Sequence, residues 1–132
     1  MRDLARFGAV LRVGGRAGSR QVVPEAVAAD IRRGGDPALL AKAGYRALDG
    51  WSYRSMWWVT HNEHGAFTAR GVHGQALYFD PAAEMVIARF ASHPGAANAA
   101  IDPILLPAFH ALDRHLRNAS ISAGSGQTQT VQ

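Results

Sequence analysis

Cysteine is absent from the 132 residues, and lysine nearly so, with Lys42 standing alone against thirteen arginines. The first absence removes disulfides, zinc–thiolate sites and thiol nucleophiles together, and leaves the redox compartment open. Long apolar runs are missing too. None approaches the ~20 residues of a membrane helix, and Met1-Arg2-Asp3-Leu4 opens without a signal-peptide core, so a soluble, cytoplasmic product is expected. What is present, 48% hydrophobic and 18% charged residues, describes one globular domain and not a disordered, collagenous or disulfide-stapled chain. A chain of this size buries roughly two thirds of its unfolded surface, enough for one core, which excludes a multidomain reading.

The formal charge is +4 and the isoelectric point near 10.3. The basic excess lies between Met1 and Arg54, which hold ten basic and five acidic residues, against four and five in the remainder. Arg2, Arg6, Arg12, Arg16, Arg20, Arg32 and Arg33 are spread over helix faces and a glycine-rich loop without interleaved aromatics. That pattern fits a solvated surface and not a nucleic-acid face.

Leu4, Phe7 and Leu11 recur at helical spacing in Asp3 to Val13, with Asp3 as a candidate cap and Gly14-Gly15 as the stop. Arg16 to Arg20 reads as loop. A second helix begins at Pro24, buries Val27 and Ile31, and ends at Gly34-Gly35. A third has Asp36 as N-cap, Pro37 at its first position, apolar Leu39, Leu40 and Ala43, and Gly44 at its end. From Trp51 the period shortens to that of strands, at Tyr53 to Thr60, Ala66 to Gly71, Gln75 to Phe79 and Met85 to Ala91. Their short connections join only antiparallel neighbours. The fold class expected is therefore α+β, an antiparallel four-strand meander flanked by helices. A last helix opens at Asp102-Pro103 with Leu105, Phe109, Leu112 and Leu116 on one stripe and Pro107 as a kink, and 119–132 reads as a disordered tail.

The serines lack the settings that make a nucleophile. Gly50-Trp51-Ser52-Tyr53-Arg54 lacks the closing glycine of a nucleophile elbow. A Ser-x-x-Lys pair fails outright, because Leu39 stands three residues before Lys42. His61 and His64 flank Glu63 without either zinc-protease spacing, and His110 and His115 point about 140° apart on a helix. No metal or cofactor follows from these. Alternation puts Trp57 and Trp58 on opposite sheet faces, one in the core and one outward or in a cleft. Gly71 and Gly74 bracket Val72-His73 between two strands, where a backbone N–H freed from the ladder is the kind of donor an oxyanion hole uses.

Tyr53-Arg54-Ser55-Met56-Trp57-Trp58-Val59, Ala69-Arg70-Gly71-Val72-His73-Gly74-Gln75 and Tyr78-Phe79-Asp80-Pro81 with Glu84-Met85-Val86-Ile87 together resemble the C-terminal portion of the serine β-lactamase-like hydrolases. Among these they are most similar to the 6-aminohexanoate-dimer (nylon oligomer) hydrolase and esterase branch. Asp3-Leu4-Ala5-Arg6-Phe7-Gly8 resembles a helix of the same family. The resemblance implies that Ala69-Arg70-Gly71 occupies the cleft-edge strand and that Val72 supplies a catalytic oxyanion donor through its backbone N–H. It also implies that Trp58, Arg70, Gly71, His73, Gly74 and Gln75 border the substrate, the last three by supporting the turn.

In such hydrolases a helix-borne serine, a lysine one turn on and a tyrosine form and resolve an acyl-enzyme on amide or ester substrates. Those motifs should precede the region seen here, so the chain is expected to be inactive alone. The alternative is a noncatalytic module that docks with a separate segment; a metal enzyme using His61, His64 or His73 ranks last. The partners expected are a small amide or ester substrate if such a segment completes the site, and a further copy through an exposed apolar face, with no nucleic acid and no membrane.

Overall fold

A helix, a short hairpin and two more helices precede a meander, and a long helix follows it. The computed structural model describes residues 1–125. Helix α1 (Arg2–Arg12) leads to the two-residue strands β1 (Arg16–Ala17) and β2 (Arg20–Gln21), then to α2 (Glu25–Arg33) and α3 (Pro37–Lys42). Strands β3 (Ser52–Arg54), β4 (Trp57–Val59), β5 (Phe67–Arg70), β6 (Ala76–Asp80) and β7 (Met85–Arg89) form one antiparallel sheet in chain order, and α4 (Asp102–Ser125) closes the described chain.

The α+β class and the meander hold, but the sheet has five strands, not four. The expected single strand from Tyr53 to Thr60 is a hairpin whose turn residues Ser55 and Met56 carry φ of 51° and 70°. Two left-handed residues in succession are what a tight hairpin requires, and Asn or Gly normally mark it. Here neither does, so the turn left no trace in the sequence. The hairpin brings Tyr53 opposite Trp58 and Arg54 opposite Trp57.

The helices divide the sheet's two faces. On one, Phe67 and Phe79 stack at 4.5 Å, Trp57 meets both, and Leu11 of α1 and Ile31 of α2 complete the cluster. Gly8 lets α1 approach, since a Cβ there would stand 2.5 Å from Val86 Cγ1 and 3.0 Å from the Phe79 ring. On the other face, Ala76, Tyr78 and Met85 pack under Phe109 of α4, and Trp58 borders a third cluster of Leu40, Leu48, Trp51 and Leu106. Trp57 and Trp58 thus lie on opposite faces, as alternation requires.

Several local expectations change. Arg16 to Gln21 is a small antiparallel hairpin and not loop. Asp3 caps nothing; it sits in the first turn of α1 and pairs with Arg6 at 3.2 Å. In α2 the buried pair is Ala28 and Ile31, while Val27 is exposed. In α3 the Asp36 cap is present, accepting from the Ala38 N–H at 2.9 Å, but Leu39 faces solvent. Helix α4 runs through Pro107, whose ring side is exposed, so the unmade backbone bond falls at the solvated surface. Its buried residues include Leu106, Phe109 and Asp113, whereas Leu112 and Leu116 are exposed. The helix also covers 119–125, which the sequence assigned to a tail; 126–132 lie outside the described residues.

Candidate functional site

Where β5 gives way to β6, the chain turns through Gly71, Val72, His73 and Gly74. The backbone closes from the Gly71 N–H onto the Gln75 carbonyl at 2.9 Å. Gly71 is extended, with φ of −96°, and does not need its lack of a side chain for conformation. Gly74 does: its φ is +83°, and a Cβ would meet Arg89 Nη1 at 2.5 Å and Ile101 Cδ1 at 2.8 Å. His73 is itself left-handed, with φ of 59°.

The polar groups of this turn are nearly all used. His73 N–H donates to Ala96 O at 3.0 Å, His93 N–H to His73 O at 3.1 Å, and Arg89 to the Gly74 carbonyl. Asn98 takes the Gly71 carbonyl and the Gly74 N–H, and His73 Nδ1 lies 2.8 Å from His93 O. The Val72 N–H donates to no acceptor among the described residues. A donor held by surrounding bonds but without an acceptor can stabilise developing negative charge without reorganising.

Val72 borders a cavity of about 610 Å³ together with Trp58, Arg70 and Gly71, so the structure gathers four of the sequence-predicted site residues at one place. His73 and Gln75 instead line a separate hollow of about 400 Å³ with Ser92 and His93, and Gly74 is buried behind the turn. Arg70 is not a free cation. Its guanidinium pairs with Asp102 at the start of α4, both side chains being at least nine-tenths buried, and lies 5.4 Å from the Trp58 ring centre. Tyr45 and Tyr53 meet the same ring at 5.1 and 4.7 Å. The pair and the aromatic group fix the wall of the cleft.

The chain as a whole is similar to known proteins. The chain is 36% identical over 94 residues to the 6-aminohexanoate-dimer hydrolase of Paenarthrobacter ureafaciens, a match covering 70% of this chain and 24% of that protein. A solved structure from Bacillus anthracis, provisionally named a 6-aminohexanoate-dimer hydrolase, superposes with a TM-score of 0.72 at 36% identity, covering 89% of this chain and 29% of its own. The chain is a relative of the 6-aminohexanoate-dimer hydrolases. It spans about a quarter of the length of the curated relative it matches and corresponds to a C-terminal portion. No protein-family model matches it.

The sequence reading did not single out Tyr45, Arg46, Asn98 and Asp102 for the cleft, which they border with Val72. Only Asp102 left a signal, as a helix opener; the others come from irregular segments brought in by the tertiary fold. The histidines lie elsewhere. His61 Nε2 stands 2.7 Å from Ser52 Oγ, but Ser52 is fully buried and also accepts from the Gly35 N–H at 2.9 Å, so this hydroxyl is a structural link and not a nucleophile. His64 pairs with Glu63, and His110 lies beside Tyr78 on the face under α4. Among the described residues no three His, Cys, Asp or Glu side chains are arranged to hold a metal ion, and no helix is long and apolar enough to cross a membrane.

Proposed function

We propose that this chain supplies the cleft-edge strand and one oxyanion donor of a serine hydrolase acting on amide or ester bonds, and that it is inactive by itself. The observation that carries the reading is the unused N–H of Val72, a residue lining the cavity of about 610 Å³, in a turn whose neighbouring polar groups are bonded. The 132 residues contain no Ser-x-x-Lys pair. An oxyanion donor without its nucleophile cannot form an acyl-enzyme, so the serine and lysine must come from another segment. Trp58, with its Tyr45 and Tyr53 neighbours, would form the apolar wall for the substrate's acyl or leaving chain. An apolar groove edged by exposed Phe7, Met56 and Phe90 is the surface through which a complementing segment or a second copy would associate.

The test is complementation. The purified chain is assayed on p-nitrophenyl esters and a chromogenic β-lactam, alone and after co-expression with the remainder of the Paenarthrobacter relative, the part that this chain does not match. No turnover alone and turnover together are expected. Val72→Pro deletes the N–H at the first position of a helical turn, where proline is tolerated, and should lower the reconstituted kcat about 10²–10³-fold. Turnover by the chain alone, abolished by mutation of one of its own residues, would overturn the inactivity. Full activity in the Val72→Pro variant would remove the donor role.

A further inference from the structure

The Gly71–Gly74 turn is not held by its own strands alone. The segment that bonds it lies between β7 and α4, more than twenty residues further along the chain, and within that segment one side chain does two tasks. Asn98 Nδ2–H donates to the Gly71 carbonyl at 2.9 Å, and Asn98 Oδ1 accepts from the Gly74 N–H at 3.0 Å. The two bonds grip the turn on either side of Val72-His73.

Both ends of the amide are therefore committed, and only one orientation satisfies a carbonyl and an N–H together. No other residue type of this size offers a donor and an acceptor from one planar group: aspartate has no donor and alanine has neither. The surroundings underline the point, because Asn98 stands in Ala96-Ala97-Asn98-Ala99-Ala100, the single hydrogen-bonding side chain among four alanines. The same segment adds backbone bonds at Ala96 and His93 to either side of the His73 peptide.

We propose that Asn98 is a positioning residue for the Val72 N–H. By tying the Gly71 carbonyl and the Gly74 N–H, it prevents the turn from relaxing into a hairpin in which the Val72 N–H would find an internal acceptor or swing from the cleft. This rests on the oxyanion reading for its catalytic meaning, but the clamp itself is a physical claim about the free chain.

Amide hydrogen exchange on the uniformly ¹⁵N-labelled full chain tests it without any turnover. In the wild type the Gly74 amide should be protected and the Val72 amide should exchange freely; the reverse order would overturn the proposal whatever any variant does. In Asn98→Ala, the Gly74 amide should exchange about five- to tenfold faster, the loss of one net hydrogen bond, and the Val72 resonance should move, while amides of Leu77, Phe79 and Val86 keep their rates. Asn98→Asp retains the acceptor but not the donor, so Gly74 protection should survive while the Gly71 and Val72 signals shift.

Uniform acceleration across the sheet in Asn98→Ala would show a merely structural role and overturn the positioning claim, as would unchanged Gly74 and Val72 signals. The two readings fail separately. An intact clamp with a silent Val72→Pro variant in the complementation assay removes the oxyanion reading and leaves the clamp. A catalytically necessary Val72 N–H with no Asn98 effect does the opposite.

Discussion

Two regions of the molecule leave polar groups without protein partners, and they do so in opposite ways. At the end of β5 the orphan is one backbone N–H, that of Val72, on a residue exposed beside a cavity. Beneath α4 the orphans are buried: Tyr78 hydroxyl, Asp80 Oδ2, His110 Nε2 and Arg117 Nε have no partner among the described residues. Tyr78 and Asp80 share the strand face that α4 covers, and Asp113, paired with Arg117 at 3.3 Å, projects from the helix. An exposed orphan costs little, because water serves it until a ligand replaces the water. A buried one costs about 1–3 kcal/mol unless ordered water reaches it. The first region is therefore suited to binding, whereas the second is a structural expense of seating α4.

Electrostatics sharpens the contrast. Burial raises the Tyr78 phenol well above its ordinary value of 10.0, and the Asp113 and Asp80 carboxylates push it further, against the opposing Arg117. At the cleft, by contrast, the buried charges Arg70 and Asp102 are matched to each other.

The largest expected effect breaks the matched side. Arg70→Met leaves Asp102 buried without its cation and should destabilise the chain by about 3–5 kcal/mol in urea denaturation, with Arg70→Met/Asp102→Leu recovering much of it. A loss below about 1 kcal/mol in the single variant would mean that the pair is solvated and the two regions do not differ as described. Next comes pH. Because the folded Tyr78 holds its proton above the unfolded value of 10.0, its contribution is complete below about pH 10 and is lost as pH rises beyond it. Stability measured from pH 8 to 11.5 should fall more steeply in the wild type than in Tyr78→Phe, and parallel curves would refute the buried, charge-crowded environment. The smallest effect is that of Tyr78→Phe at neutral pH, no loss and a gain of about 1 kcal/mol, since it removes a buried hydroxyl that has no protein partner. A cost above about 2 kcal/mol would show that an ordered water holds it.

Much of the architecture was legible because it follows from period and punctuation. Asp36-Pro37 marked a helix start through cap chemistry alone, and the alternation of Trp57 and Trp58 placed them on opposite faces. The spacing of Gly71 and Gly74 marked the turn that carries Val72. What stayed hidden had non-local causes. Ser55-Met56 adopts a left-handed hairpin turn that neither residue prefers, imposed by pairing of the flanking strands. Leu112 and Leu116 continue an apolar stripe on α4, but at that level the helix buries Asp113 and leaves both leucines exposed. Arg70 was expected only as a residue bordering the substrate, and the arrival of α4 from more than thirty residues away gives it Asp102.

Residue types and their spacing are enough to read the class of the protein and the chemistry it lacks: an α+β meander with a glycine-bounded turn, and no Ser-x-x-Lys pair to attack a carbonyl. These depend on residue types at short spacing, which local sterics and hydrogen bonding translate directly. Which polar groups are spent and which are left over depends on how distant segments meet in the folded chain. A hydrogen bond or ion pair saturates a group, and the partners that saturate Gly71, Gly74 and Arg70 come from Asn98 and Asp102, far along the chain. The Val72 N–H is available because everything around it has been taken.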